Sequence, residues 1–228
     1  MTKAVATLLF TLALSCGGSL TEGTKVVVLQ DKAIPRDDLI SFISTKDIIW
    51  AYKGSNELDN NITCKADYNI MKVNNTTYKF NRNFTVNEND RESHNMQGHL
   101  LVTKSNKNAP EGICSAWVVT DEFGNRTLEV LIFQTTNHTC AVFYILPLPR
   151  ATGEDGDALL TEDDFYCEMR MKSSITSTAA PKPAKGQNFQ VKNNQPPDDC
   201  RQAYSDHCIQ RSKGGDKQVY RPSCKSSP

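Results

Sequence analysis

The residue in this chain best placed to do chemistry is a carboxylate. In CSAWVVTDEFGNRTLEVLIFQTTNHTC, Cys114 to Cys140, Glu129 stands in the middle of the apolar run TLEVLIF. Burying a carboxylate there is costly unless something meets its charge. One partner is a ligand: a primary ammonium shedding its water against Glu129 would gain charge-assisted hydrogen bonds, and an aromatic wall of Trp50, Tyr52, Tyr78 and Phe84 would add cation–π contact. The other is a lysine or arginine on a neighbouring strand, which makes Glu129 structural. Both readings stand at this point.

Other chemistry finds little support. His94, His99, His138 and His207 fall in no nucleophile elbow, zinc-protease motif or Cys–His pair, and no glycine-rich phosphate loop occurs. No enzyme activity and no cofactor is expected. GEDGDALLTEDD, residues 153–164, lacks the ligand spacing of a calcium loop and reads as a solvated acidic loop, so no metal is expected either.

The chain has 228 residues, eight cysteines and no net charge, which suits one globular domain with an appendage. Its first 18 residues, with Lys3 ahead of an apolar segment and small residues after it, read as a secretory signal peptide. Cys16 at the end of ALSC also resembles a lipoprotein box, a reading the sequons oppose. Later segments fall short of the ~18 apolar residues of a spanning helix. Export agrees with sequons at Asn61, Asn74, Asn75, Asn83, Asn125 and Asn137, and with widely spaced cysteines that suit disulfides better than zinc. A secreted, extracellular monomer is expected, with no membrane span and no nucleic-acid partner.

Positioning Glu129 falls to a run of strands. Residues 47–53, 62–73, 76–87, 98–104, 113–121, 127–136, 139–146 and 164–172 are rich in Val, Ile, Tyr, Phe and Thr and are separated by turn chemistry such as NNTT, KNAPEG and EFGN. The expected fold is all-β, an eight-stranded antiparallel barrel over residues 19–175 with a short helix at IPRDDLISFIS; a sandwich is the alternative. Parity puts Glu129, Leu131 and Phe133 on one face of TLEVLIF and Leu128, Val130 and Ile132 on the other. Both faces are largely apolar, so one of them is expected to pack under a helix.

Composition changes beyond residue 173. Residues 176–199, rich in Ser, Thr, Pro, Asn and Lys, read as a flexible linker, and 200–228 as a disordered, basic, Cys-containing tail. From Thr176 onward nine Lys or Arg stand against four Asp or Glu. Such a tail either docks on an anionic surface, such as a glycosaminoglycan, or is a solvated extension; the dispersed charges favour the second.

DIIWAY, GICSAWVVTDE, LEVLIF, CAVF and FYCEM occur in an order that resembles the tick salivary lipocalins, whose best-known members bind histamine. The resemblance spans residues 37–172. It implies a secreted lipocalin barrel that sequesters a small host mediator, histamine or serotonin, to suppress host defence. It also implies disulfides Cys64–Cys167 and Cys114–Cys140, leaving Cys200, Cys208 and Cys224 as an odd set. Glu129 resembles the amine-ligating glutamate by its place between the two cysteines, and Asp47, three residues before Trp50, resembles a second amine-facing acid. Two details depart from the amine-binding signature: Ser115 stands where an acidic residue is expected, and Val130 and Leu131 follow Glu129 instead of Leu and an aromatic. An eicosanoid or sterol carrier, a protein-binding inhibitor of complement or immune cells built on the barrel, and a surface-anchored structural domain are the competing readings.

Overall fold

A computed structural model of the chain describes residues 38–55, 61–87, 89–103, 112–148, 166–173, 195–209 and 215–226. The segments read as a signal peptide, as an acidic loop (153–164) and, up to residue 194, as a linker lie outside the described residues. A short helix, α1 (Asp38–Ile43), precedes eight strands: β1 (Ile49–Gly54), β2 (Ile62–Lys72), β3 (Thr77–Val86), β4 (Asp90–Thr103), β5 (Gly112–Asp121), β6 (Arg126–Gln134), β7 (Cys140–Leu148) and β8 (Tyr166–Lys172). From β2 to β8 each strand pairs antiparallel with the next, and β1 lies between β8 and β2 and closes the ring. The expected closed barrel is therefore present. Closure gives the short strands partners on both sides and removes exposed sheet edges.

Strand β4 is longer than the apolar run 98–104 indicated. Its first half, DRESHNMQ, carries an apolar residue only at Met96, because both its outward positions and Asp90 and Glu92 on the Met96 face meet water: Asn95 is exposed whereas Met96 is buried. Helix α1 plugs one end of the barrel. Leu39, Phe42 and Ile43 share one helical face and join Phe80, Trp117, Leu131 and Phe143 in the interior core.

Past the barrel the chain is structured again, which corrects the expectation of a disordered tail. Helix α2 (Asp198–Tyr204) runs into a π-helical turn (Ser205–Ile209), followed by strand β9 (Lys217–Gln218) and a 3-10 turn (Pro222–Ser226). The buried face of this helical segment, Cys200, Ala203, Tyr204 and Cys208, packs on Val142, Met169 and Met171, with Ile132 and Phe133 alongside. This helix covers the outer face of TLEVLIF only at Ile132, whereas Leu128 and Val130 pack with Ala116, Val118 and Leu146. A register shift between Leu131 and Phe133 breaks the simple parity, turning Phe133 out to that cover while Glu129 and Leu131 stay inside.

Among the described residues the disulfides are Cys64–Cys224, Cys140–Cys200 and Cys167–Cys208, each tying a barrel strand to the tail. They replace the pairings Cys64–Cys167 and Cys114–Cys140. The reason is reach, since a bridge needs Cα atoms ~4.4–6.8 Å apart. Strands β2 and β8 flank β1, and β5 and β7 flank β6, so a bond within either expected pair would have to cross two strand spacings, ~9–10 Å. The tail brings its own cysteines against the barrel wall, with Cα–Cα distances of 5.2, 6.3 and 5.7 Å. The side chain of Cys114 lies outside the described residues.

Candidate functional site

Glu129 sits at the centre of a charged layer across the barrel interior. It is fully buried and paired on both sides. Arg82 of β3 donates from Nη1 and Nη2 to Glu129 Oε1, both at 3.1 Å. Arg170 of β8 donates from Nη1 to Oε2 at 2.6 Å, and Trp117 of β5 donates its indole N–H to the same oxygen at 3.0 Å. Arg82 also grips Asp67 of β2 in a bidentate pair, at 2.6 and 2.8 Å. Arg170 donates from Nε to Glu168 at 2.8 Å, while its Nη2, 2.6 Å from the same carboxylate, lacks hydrogen-bond alignment. Lys65 of β2 completes the layer by its salt bridge to Glu168.

Strand parity assembles these groups. The inward positions of β8 are Glu168, Arg170 and Lys172, so YCEMRMK alternates charge inside with Cys167, Met169 and Met171 outside. Arg82 follows Tyr78 and Phe80 on the inner face of β3. Apolar rings hold the guanidiniums in place: Arg170 lies 4.6 Å from the centre of Phe143, and Arg82 5.5 Å from that of Phe80. The Trp117 ring stacks on Phe80 at 5.3 Å and lies against Gly98, where an added Cβ would come within 2.4 Å of it.

The layer balances its own charge, with Lys65, Arg82 and Arg170 against Asp67, Glu129 and Glu168. Burial pushes the Glu129 carboxyl up, but Arg170 and Arg82 outweigh it and hold it well below the usual carboxylate range. Burial likewise raises Glu168, and Lys65 and Arg170 draw it down to about 2. Burial would ease the proton off Arg82 and Arg170, yet carboxylates keep both charged, Asp67 first for Arg82 and Glu129 first for Arg170. Lys172 stands apart near the plugged end, over the Phe42 ring and within 3.5 Å of the Ser41 carbonyl oxygen, its ammonium disfavoured by burial and partly restored by Asp47.

The residues proposed to receive an amine are not gathered at one place. Glu129 and Tyr78 face the interior. Trp50 pairs across the sheet with Ala66, next to inward Asp67, and so points outward; it packs with Tyr220 of the tail, and Tyr52 stacks on the same ring. Asp47 precedes β1 and accepts a hydrogen bond from the Ser173 hydroxyl at 3.4 Å. Phe84 packs edge-on against His94, which in turn meets Phe123 of the β5–β6 turn. The aromatic wall is thus split between the inside and the outside of the barrel.

Arg82, Arg170, Asp67 and Glu168 escaped the sequence reading. The regular alternation of YCEMRMK was the signal that could have found two of them. Of the sequons, Asn61, Asn74, Asn75, Asn125 and Asn137 are exposed. Asn83 is not: it is 5% exposed, and its side-chain oxygen accepts from the Tyr68 hydroxyl at 3.1 Å, which removes it from the expected glycosylation sites. Among the described residues no group of three or more His, Cys, Asp or Glu is arranged to hold a metal ion, and no helix is long and apolar enough to cross a membrane. Compared with known proteins, the chain matches no family model and no curated protein.

Proposed function

We propose that this protein is an exported, lipocalin-like carrier that takes a small mediator into its barrel and so removes it from the surrounding fluid. One observation carries this reading: the closed barrel with a polar layer set inside an otherwise apolar wall, the arrangement that orients an amphipathic guest. In the salivary setting that the sequence resemblance implies, the guest is a host signal and its removal blunts host defence. Three disulfides fit the oxidising compartment such a role needs.

The charge layer bears on which guest. Glu129 already holds two guanidiniums, so an incoming ammonium would have to displace an arginine and leave it buried without its partner. Asp67, Glu129 and Glu168 are each already paired with a cation, and Lys172 stands apart beside Asp47, so the layer holds no spare carboxylate for an ammonium, which favours a sterol or an eicosanoid over an amine. The biogenic-amine reading keeps one support, the grouping of Asp67, Glu129 and Glu168 in one layer. Calorimetric titration with arachidonate, cholesterol, histamine and serotonin separates the readings, with Trp117 emission as an internal reporter. Binding of arachidonate or cholesterol without heat from the amines is the expected result. Amine binding alone would restore Glu129 as a ligand group, and no binding by any of the four would leave the barrel as a scaffold for a protein partner.

A further inference from the structure

Strands β1 and β2 separate soon after they meet. They pair only at Ile49 with Asp67 and at Trp50 with Ala66. Beyond that point a bulge, with Cys64 at φ 52°, leads β2 away, and the gap is filled by the tail. Strand β9 pairs with β1 through Lys53 with Gln218 and Gly54 with Lys217. The next residue, Val219, donates its N–H to the Tyr52 carbonyl at 3.0 Å and accepts from the Cys64 N–H at 2.9 Å, so one residue bridges both lips of the seam. Behind it lies a cleft lined by Ile62, Lys65, Tyr166, Glu168, Lys217 and Val219, which reaches the Lys65–Glu168 end of the charge layer.

We propose that the segment Asp216–Cys224 is a redox-released latch over a side entrance to the barrel, located between β1 and β2 and held shut by the Cys64–Cys224 disulfide. Besides the disulfide the latch is held by the Lys53–Asp216 salt bridge, the backbone bonds of β9 and Val219, the amide of Gln218 on the Tyr52 carbonyl, and the packing of Tyr220 with Trp50 and Tyr52, all of them non-covalent. Helix α2, by contrast, is fixed by two disulfides in an apolar cluster, so opening the latch leaves that cover in place. Access selects which bond opens. Cys64 is half-buried, whereas the other five bridged cysteines are buried. A thiolate of an external dithiol attacks the Cys64 sulfur and expels Cys224 as thiolate. The second thiol of the reagent then displaces Cys64, the reagent leaves as a disulfide, and both cysteines take up protons. This latch goes beyond the carrier reading and does not require that a ligand be known.

The test uses the full-length protein and an amine-reactive ester that labels lysines. Limiting dithiothreitol should open Cys64–Cys224 first, as read by alkylation and peptide mapping. Lys65, shielded in the oxidised protein, should then acylate about tenfold faster or more, as local opening of a few contacts predicts. Lys172 at the plugged end should keep its protection. The Cys64→Ser/Cys224→Ser variant should behave the same way without reductant. Val219→Pro, which keeps all three disulfides but removes the N–H bonded to Tyr52, should raise Lys65 labelling to an intermediate level. If either variant loses its folded circular dichroism, the dithiothreitol arm and the remaining variant decide. Earlier opening of Cys140–Cys200 or Cys167–Cys208, or an unchanged Lys65 rate after Cys64–Cys224 is reduced, overturns the latch.

Discussion

The two sides of the barrel obey opposite rules. On the β3–β4 side, inward Tyr78, Phe80, Met96 and Leu100 are buried, while outward Lys79, Asn95 and His99 meet water. On β8 the inward residues are Glu168, Arg170 and Lys172, and the outward ones are Cys167, Met169 and Met171, yet all six are buried. The difference is the tail. Where α2 and the segment around Tyr220 cover the outer wall, outward side chains are buried as well, so β8 can be apolar outside and charged inside, while β7 under the same helix is apolar on both faces. Alternation along a strand therefore tells which residues share a face but not which face is inside.

The sharpest way to break the comparison is to strip the inner layer of one charge. Glu129→Gln keeps the shape but leaves Arg82 and Arg170 facing a neutral amide. Loss of one member of a buried ionic cluster costs roughly 3–5 kcal/mol, and that fall in unfolding free energy should appear in urea denaturation. Had Glu129 been an unpaired carboxylate waiting for a ligand, the same change would hold stability or raise it. A neutral or stabilising result would show that the arginines do not depend on Glu129.

The outer wall should give an effect nearly as large by a different mechanism. Met169 is buried between β8 and the helical segment, and Met169→Ala removes packing there without touching a charge. A loss of about 2–5 kcal/mol is expected, the usual range for a buried methionine cut to alanine. A loss under about 0.5 kcal/mol, as at an exposed site, would mean that α2 is not seated on the barrel in solution.

Acid should separate the two sides further, because the inner layer holds carboxylates kept ionised by buried cations. Glu168 has its carboxyl drawn down to about 2, against ~4.3 for an unfolded chain. Stability from a depressed carboxylate is complete above the unfolded value and is lost as pH falls toward the folded one, so the loss runs from about pH 5 to 2 and is on the order of 3 kcal/mol for this group. Thermal melts across that window should fall steeply in wild type, and less so in a Lys65→Met/Glu168→Met variant. Equal slopes would show that the acid response arises elsewhere.

The barrel was legible because its strands are runs rich in Val, Ile, Tyr, Phe and Thr between turn residues, and all but β4 lie where those runs put them. The first half of β4 was not, since its outward positions meet solvent and only Met96 inside is apolar. Glu129 stood out as the charge that breaks an apolar run, and its two readings were the right ones to weigh. The cations that pair with it were invisible locally, because Arg82 and Arg170 lie 47 positions before it and 41 after it and meet it only once the ring closes. The tail misled for a related reason. Its composition is polar, but four side chains, Cys200, Ala203, Tyr204 and Cys208, suffice to seat a short helix when disulfides hold it there. Pairing of cysteines is set by tertiary proximity, so spacing along the chain could not supply it.

The smallest expected effect concerns Asn83, on the β3 side of the comparison. Its sequon, Asn83-Phe84-Thr85, reads like the exposed ones, and an outward position on β3 would ordinarily offer its amide to solvent. Here the side chain is 5% exposed and Tyr68 donates to its oxygen, so a sugar on the amide nitrogen would have to force the β2–β3 surface apart. Folded protein from a glycosylating host should therefore carry no glycan at Asn83. Thr85→Ala removes the sequon while leaving Asn83 and its hydrogen bond in place. It should leave the electrophoretic mobility unchanged and shift stability by no more than about 0.5 kcal/mol, as expected for a half-exposed position without special contacts. Faster migration of Thr85→Ala by the equivalent of one glycan would show that Asn83 is accessible, and that the outer surface of β2–β3 is less closely packed than Tyr68 and Asn83 indicate.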